Sequence, residues 1–172
     1  MSKNNNAVEW ILLVDDDSGL RDLIIRTLER GGYTVRGVSD GKTAIELTAA
    51  DSPCLMLLDH RLPDMTGLDV VKALAERGRQ IPFVMMTGQG DERLAVEIMK
   101  LGAEDYLIKD TELIDRLPVV IARVMQAIDM KDRLRRAEEE LRESEVKYRL
   151  LFDNAGDTIF IINADGRILE VN

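Results

Sequence analysis

The stretch Cys54-Leu55-Met56-Leu57-Leu58-Asp59 decides the fold of this 172-residue chain. Its five apolar residues are too few for a helix, and turn-forming residues flank them at Ser52-Pro53 and Leu62-Pro63. This pattern predicts a strand buried on both faces, as in the middle of a parallel sheet. Open α/β sheets bind and react at the carboxyl ends of their strands, which is where Asp59 stands. A lone aspartate serves equally well as a turn cap, so the other strands decide its role.

Four further apolar segments predict strands, and each strand is followed by a helical pattern. The segments are Trp10–Val14, Tyr33–Val38, Phe83–Thr87 and Asp105–Ile108. Five strand–helix repeats with short connections predict an α/β fold with a doubly wound, five-stranded parallel sheet. We expect the flavodoxin-like strand order 2-1-3-4-5, because it makes neighbours of the four strands that end in reactive residues.

The reactive strand ends predict one chemical site. The first strand ends at Asp15-Asp16-Asp17, the third at Asp59, the fourth at Thr87 and the fifth at Lys109. Clustered carboxylates need a cation to stay ionised together, and an all-oxygen site beside phosphate suits Mg²⁺. Lys109 and Thr87 can each bind a phosphoryl oxygen. The set predicts phosphoryl transfer onto Asp59, which gives an acyl phosphate.

The composition limits the classes of partner. A formal net charge of −9 argues against binding of nucleic acid or an anionic membrane within this chain. The single cysteine, Cys54, cannot form an internal disulfide, which favours a reducing cytoplasm. No apolar run approaches the roughly 18–20 residues that cross a membrane. We therefore expect a soluble, cytoplasmic protein that does not bind membranes.

Four segments in this order and spacing resemble the receiver domain of two-component response regulators: ILLVDDDSGLRDL, LMLLDHRLPDMTGLD, VMMTGQGD and GAEDYLIKD. The resemblance covers residues 9–128. It implies that Asp59 accepts a phosphoryl group from a sensor histidine kinase or a phosphotransfer protein. It also implies that Thr87 is the switch hydroxyl, Lys109 the phosphate-binding lysine, and Tyr106 the aromatic residue that turns inward on activation. Self-phosphorylation and dephosphorylation at Asp59 are the only chemistry expected.

The same resemblance implies a magnesium site. Asp16 is expected to bind Mg²⁺ directly and Asp15 through water, with Asp59 and the main-chain carbonyl of Arg61 as further ligands. Asp17 has no fixed role in the family, and we expect it to cap the next helix or to lie in the outer shell of the site.

One residue departs from the family pattern. Asp110 follows Lys109 where the family usually has a proline in a cis peptide bond. A cis bond before aspartate would cost about 2.5–4 kcal/mol. We therefore expect a trans loop of different shape, with a carboxylate that competes for the charge of Lys109.

A long helix is predicted after the receiver segment. Proline suits the first turn of a helix, so Pro118 predicts a start at Leu117, with Thr111–Arg116 as a loop or short turn. Apolar residues then recur every seven positions: Val120, Ala127, Leu134, Leu141 and Tyr148. This heptad predicts a coiled-coil linker over residues 129–147 and a parallel homodimer through residues 118–152. A solvated single helix is the alternative, because Ala137 and Ser144 weaken the companion seam.

The last segment, residues 148–172, changes character again. Strands are predicted at Thr158–Ile162 and Arg167–Val171, around the turn Asn163-Ala164-Asp165-Gly166. The segment resembles the opening of a PAS sensor domain. We therefore expect a piece of a longer protein, with the rest of the PAS domain and an output region beyond it.

Two other functions compete with the receiver. A haloacid-dehalogenase-like phosphatase also uses an aspartate nucleophile, Mg²⁺, threonine and lysine, and Asp15 with Asp17 has its Asp-x-Asp spacing. Gly19, however, stands where that family has threonine or valine, and Asp59 would have no purpose. A pseudo-receiver that only dimerises is the third reading, and the intact acid set argues against it. Incubation with a phosphodonor and Mg²⁺ separates the three readings. The receiver predicts label at Asp59, the phosphatase predicts label at Asp15, and the pseudo-receiver predicts no label.

Overall fold

The computed structural model describes residues 9–88 and 92–172. The chain divides into two compact units, one ending at Gln126 and the other spanning Ala127–Asn172. Each unit is described by itself.

The first unit contains a five-stranded parallel sheet. Its strands are β1 (Trp10–Val14), β2 (Thr34–Val38), β3 (Leu55–Asp59), β4 (Phe83–Thr87) and β5 (Asp105–Ile108). The intervening helices are α1 (Ser18–Arg30), α2 (Gly41–Ala50), α3 (Gly67–Glu76) and α4 (Glu92–Lys100). The strands pair in the order β2-β1-β3-β4-β5, and every pair is parallel. The predicted fold class and strand order are therefore confirmed, with strand boundaries shifted by one residue at β2 and β3.

The burial of each strand in the sheet matches the apolar pattern of its sequence. Every residue of β1, β3 and β4 is buried, whereas β2 at the edge of the sheet is half exposed. Unbroken apolar runs thus occupy the strands that have helices on both faces. Asp17, Asp40 and Thr66 cap α1, α2 and α3 by accepting main-chain N–H groups. The sequence predicts Asp91 as the cap of α4, and this residue lies outside the described ranges.

The start of the last helix corrects a prediction. Helix α5 spans Leu113–Asp153, so it begins four residues before the expected Leu117 and has Pro118 inside it. Proline in a helix removes one main-chain hydrogen bond. The helix tolerates this because Leu113, Leu117 and Ile121 recur at helical spacing and are all at most 2% exposed. Burial of that apolar face outweighs the lost bond.

The second unit contains the carboxyl-terminal part of α5 and a two-stranded antiparallel hairpin. The hairpin strands are β6 (Phe160–Ile162) and β7 (Ile168–Val171), shorter than the predicted segments. The connecting turn has Gly166 at φ 79°, a backbone conformation that favours glycine. At the end of α5 the rings of Tyr148 and Phe152 stack with centroids 5.4 Å apart. Phe152 is 5% exposed, whereas Tyr148 is 43% exposed.

The first residue of β1, Trp10, lies at the end of the sheet opposite the carboxyl ends of the strands. Its side chain is 2% exposed, and the guanidinium of Arg36 in β2 lies 4.3 Å from the ring centroid. This is a cation–π contact. Arg36 also forms an ion pair of 3.0 Å with Asp51, which closes α2.

None of the helices within the described ranges combines the length and the apolar character that crossing a bilayer requires.

Candidate functional site

The predicted reactive residues meet at the carboxyl end of the sheet. Asp59 is the last residue of β3 and Thr87 the last of β4, while Asp15 and Lys109 directly follow β1 and β5. Because these four strands are neighbours, the sheet brings the four side chains to one edge. The parallel order therefore builds the site from residues that are far apart in sequence.

Three carboxylates form the acidic part of the site. Asp15, Asp16 and Asp59 each offer an oxygen, and these oxygens all lie within 4.8 Å of one another. Asp15 is fully buried and Asp59 is 6% exposed, whereas Asp16 is open to solvent. A set of carboxylate oxygens without nitrogen or sulfur donors is what hard cations such as Mg²⁺ prefer. The donor set thus fits the expected metal, with Asp16 on the accessible side.

Lys109 joins two of these carboxylates. Its Nζ lies 2.5 Å from Oδ2 of Asp59 and 2.7 Å from Oδ2 of Asp15. Burial lowers the pKa of the ammonium, but the hydrogen bonds and charges of the two aspartates outweigh this, so the pKa of Lys109 is raised. The lysine therefore stays charged beside the two carboxylates.

Asp15 is held by its surroundings. Its Oδ1 accepts the N–H of Asp17 at 3.0 Å, and its main-chain carbonyl accepts Nη1 of Arg21 at 2.6 Å. Burial raises the pKa of this carboxyl, and the hydrogen bond and charge of Lys109 only partly oppose that effect. Asp17 itself accepts the N–H of Leu20 at 3.0 Å and caps α1, which is one of its two predicted roles.

The loop after Asp59 is a closed turn. Oδ1 of Asp59 accepts the N–H of Arg61 at 3.2 Å, Arg61 forms a β-bridge with Thr66, and Gly67 donates to the carbonyl of His60 at 2.9 Å. These bonds fix the main chain of Arg61, whose carbonyl is an expected metal ligand.

Sequence reasoning missed Asp64, which anchors the tip of this turn. Its two carboxylate oxygens accept the N–H groups of Gly41 and Lys42, each at 2.9 Å. Asp64 thus caps α2 from a distant loop. No local spacing pattern reveals it, because its acceptor pair is formed only by the fold.

The predicted switch residues lie on adjacent strands. The Thr87 side chain is buried, while Tyr106 in β5 is 40% exposed. The main-chain carbonyl of Thr87 accepts the N–H of Lys109 at 2.7 Å, so β4 fixes the lysine at its main chain.

Asp110 does not compete for Lys109 as the sequence suggested. Oδ1 of Asp110 lies 2.5 Å from Nη2 of Arg116 and also accepts the N–H of Glu112 at 3.0 Å. The carboxylate is therefore engaged by α5, and the expected competition is wrong. All peptide bonds within the described ranges are trans, as expected for a loop without proline.

Comparisons with known proteins agree with this arrangement. The sequence model of the response regulator receiver domain matches residues 11–121. Over 116 residues the chain is 41% identical to the transcriptional regulatory protein CpxR of Escherichia coli, which covers 66% of this chain and 49% of that protein. Over 109 residues it is 41% identical to the regulatory protein LuxO of Vibrio cholerae, covering 63% and 24%. The chain thus spans about half or less of the length of these relatives.

Solved structures show the same fold. The receiver domain of a putative LuxO repressor protein from Vibrio parahaemolyticus superposes with a TM-score of 0.68 at 30% identity, covering 73% of this chain and 96% of that one. The receiver domain of NtrX from Brucella abortus gives a TM-score of 0.62 at 30% identity, covering 67% and 98%. This chain belongs to the response regulator receiver domain family.

Proposed function

We propose that Asp59 accepts a phosphoryl group from the phosphohistidine of a sensor kinase or a phosphotransfer protein. The observation that supports this most directly is the position of the Lys109 ammonium, 2.5 Å from Oδ2 of Asp59. The same ammonium is 2.7 Å from Asp15, so a cation lies beside the nucleophile. Phosphoryl transfer needs such placement of positive charge around the nucleophile and the transferred group.

The chemistry follows from these residues. An oxygen of Asp59 attacks phosphorus, the phosphorus–nitrogen bond of the donor breaks, and its electron pair returns to the imidazole. Lys109 binds one phosphoryl oxygen, and the hydroxyl of Thr87 donates to another. Hydrolysis of the acyl phosphate restores the carboxylate.

Asp15, Asp16, Asp59 and the main-chain carbonyl of Arg61 would hold Mg²⁺. When bound, the ion neutralises the charge that gathers on the oxygens during transfer. The donor set supports this assignment, because the three carboxylates lie close enough to share one ion. Asp16 is exposed and lies at the mouth of the site, where an ion would enter.

The proposed output is a switch coupled to Thr87. When Thr87 turns toward the phosphoryl group, Tyr106, now 40% exposed, turns inward and changes the surface of α4, β5 and α5. Beryllium fluoride in place of the acyl phosphate should shift the NMR signals of both residues. Shifts confined to the pocket, with Tyr106 unmoved, would count against the coupling.

Beyond the receiver we propose a linker over residues 129–147 that forms a parallel coiled coil with a second copy, through residues 118–152. Leu134 and Leu141, both on the heptad stripe, are 61% and 62% exposed. A second copy would bury this stripe. In the parallel register Arg133 faces Glu138 of the other copy, whereas Glu140 meets Glu145 unfavourably.

Residues 148–172 are proposed as the opening of a PAS domain, in line with the hairpin β6–β7. The apolar residues of this hairpin, among them Phe160 at 55% and Leu169 at 65% exposed, suit a sheet that further strands complete. The half-buried thiol of Cys54, whose pKa partial burial raises to about 11, fits a protein of the reducing cytoplasm.

Phosphate mapping tests the proposal. The protein is incubated with acetyl phosphate and Mg²⁺, and the labelled residue is identified by borohydride reduction and mass spectrometry. We expect label at Asp59 that Asp59→Asn abolishes. Label at Asp15 would support the phosphatase alternative instead, and absence of label under conditions that phosphorylate a control receiver would support the pseudo-receiver.

A further inference from the structure

The loop between β5 and α5 holds Lys109 but lacks the proline that usually follows this lysine in the family. We propose that the ion pair of Asp110 with Arg116 fixes this loop in place of the proline, and so positions the Lys109 ammonium between Asp15 and Asp59. The kinetic consequence rests on the proposed function of Asp59, whereas the positional claim stands on the contacts alone.

A single nitrogen of Arg116 contacts the residues on both sides of Lys109. Nη2 donates to Oδ1 of Asp110 at 2.5 Å and to the main-chain carbonyl of Ile108 at 3.3 Å. Lys109 itself donates its N–H to the carbonyl of Thr87 at 2.7 Å. Three consecutive residues are therefore fixed, two of them by the same guanidinium and the middle one by β4.

Asp110 also starts the long helix. Its side chain accepts the N–H of Glu112 at 3.0 Å, and its carbonyl accepts the N–H of Leu113 at 3.2 Å. Arg116 lies in the first turns of α5, and its N–H donates to the carbonyl of Glu112 at 3.0 Å. The pair thus joins the lysine loop to the helix that leads out of the receiver.

The guanidinium of Arg116 is less exposed than that of Arg123, which forms another ion pair between α5 and the β5 region. The Arg116 side chain is 39% exposed and the Arg123 side chain 68%, while their partners Asp110 and Asp105 are 22% and 20% exposed. Shielding from water strengthens a charge-assisted hydrogen bond, whereas fully exposed pairs contribute little. Arg123 is therefore a matched control on the same helix that does not touch the lysine loop.

The main-chain position decides where the ammonium lies. The lysine stem is flexible, so a main chain fixed at Ile108, Lys109 and Asp110 narrows the range of positions that its tip can reach. A hydrogen bond weakens steeply once its atoms move apart, so a wider range leaves the short contacts to Asp59 and Asp15 formed for less of the time. Loss of the Arg116 bridge should therefore appear first at the Lys109 ammonium.

The test compares Arg116→Gln with Arg123→Gln. Isotope-edited NMR of the lysine side-chain nitrogens reports how fast the ammonium protons of Lys109 exchange with water. We expect about tenfold faster exchange and about tenfold slower phosphorylation at saturating acetyl phosphate for Arg116→Gln, as small misplacements of a catalytic group cause. Arg123→Gln should match the wild type in both. Equal Lys109 exchange in the two variants would overturn the proposal.

A family-like loop provides the rescue. Proline fixes the main chain at its own position. In an Asp110→Pro background, Arg116→Gln should therefore change the exchange rate of the Lys109 ammonium protons by less than twofold. The double-mutant cycle measures this coupling between positions 110 and 116. An undiminished effect in that background would contradict the proposal. Arg116→Lys, which keeps the charge without the planar fork, serves if Arg116→Gln does not fold. A wild type that cannot be phosphorylated would refute the proposed function, while the exchange data would still decide the positional claim.

Discussion

Asp64 accepts the main-chain N–H of Gly41 through Oδ1 at 2.9 Å, so a residue of the loop after Asp59 caps the start of α2. Asp40, the residue directly before α2, caps the same helix by accepting the N–H of Thr43 at 2.8 Å. The hydrogen bonds from these main-chain N–H groups lower the pKa of both carboxyls from 3.8.

The first prediction concerns acid stability. A carboxyl whose pKa is lowered by folding contributes stability above its unfolded value, 3.8, and this contribution is lost as the pH falls through the folded value. Asparagine in place of Asp64 accepts a hydrogen bond without titrating. Asp64→Asn should therefore lose less unfolding free energy than the wild type between pH 6 and pH 3, in urea titrations. Asp22→Asn, a change at an exposed residue of α1, is the control, and equal losses in both variants would contradict the prediction.

The second prediction concerns Lys109→Met. Removing the ammonium leaves Asp15 and Asp59 buried together without their cation, which should cost about 3 kcal/mol of unfolding free energy at neutral pH. Added Mg²⁺ can neutralise the same carboxylates, so it should stabilise the variant more than the wild type. Thermal melts with and without Mg²⁺ measure both effects. Equal responses to Mg²⁺ would show that the ion and the lysine do not share these carboxylates.

The third prediction concerns Asp16→Asn. Asp16 is exposed, so its replacement without Mg²⁺ should change the unfolding free energy by no more than about 0.5 kcal/mol. As a proposed direct ligand it should matter for the metal, and we expect Mg²⁺ affinity in calorimetry to fall at least about tenfold. An unchanged affinity would remove Asp16 from the ligand set.

The fourth prediction concerns Gly67→Ala. A Cβ built on Gly67 would lie 2.4 Å from the main-chain carbonyl oxygen of Asp59 and 2.9 Å from Sδ of Met85. The end of β3 must therefore move, which should cost about 1–3 kcal/mol and slow phosphorylation. At Gly19, also in a helix, the nearest atom would be 3.4 Å away. Gly19→Ala should be neutral or stabilising, and similar melting temperatures for the two variants would contradict the argument.

The fifth prediction concerns the linker. The double variant Leu134→Asp/Leu141→Asp should be monomeric in light scattering at tens of micromolar, whereas the wild type should dimerise. The dimer is expected to be modest and to tighten with the phosphate mimic, because Ala137 and Ser144 bury little apolar area at about 25 cal/mol per Å². Glu143→Lys, off the two apolar seams, is the control. A monomeric wild type, with and without the mimic, would refute the coiled coil.

Much of the fold could be predicted because its signals are local. The runs that became β1, β3 and β4 are apolar without interruption since both faces of those strands are buried. The residues at the carboxyl ends of β1, β3, β4 and β5 predicted the reactive set Asp15, Asp59, Thr87 and Lys109. The strand order that brings these residues together is the observed one.

What could not be predicted depends on contacts between distant residues. Asp64 lies 23 positions from Gly41, and no sequence pattern in either segment predicts the hydrogen bond between them. Arg116 and Asp110 are six apart, outside the three- and four-residue spacings of helical ion pairs. The prediction from Pro118 was wrong for the same reason, because the burial of Leu113, where α5 begins, depends on tertiary packing.

The location of Trp10 determines what optical measurements on this protein report. It is the only tryptophan, it is buried at the far end of β1, and residues from Ala127 onward contain none. About five residues at roughly 3.3 Å each separate it from Asp15. Its fluorescence should therefore report unfolding of the receiver and should not change when a ligand binds in the pocket. Far-ultraviolet circular dichroism also includes the signal of the 41 residues of α5. Midpoints that differ between the two signals would show that the receiver and the linker melt separately.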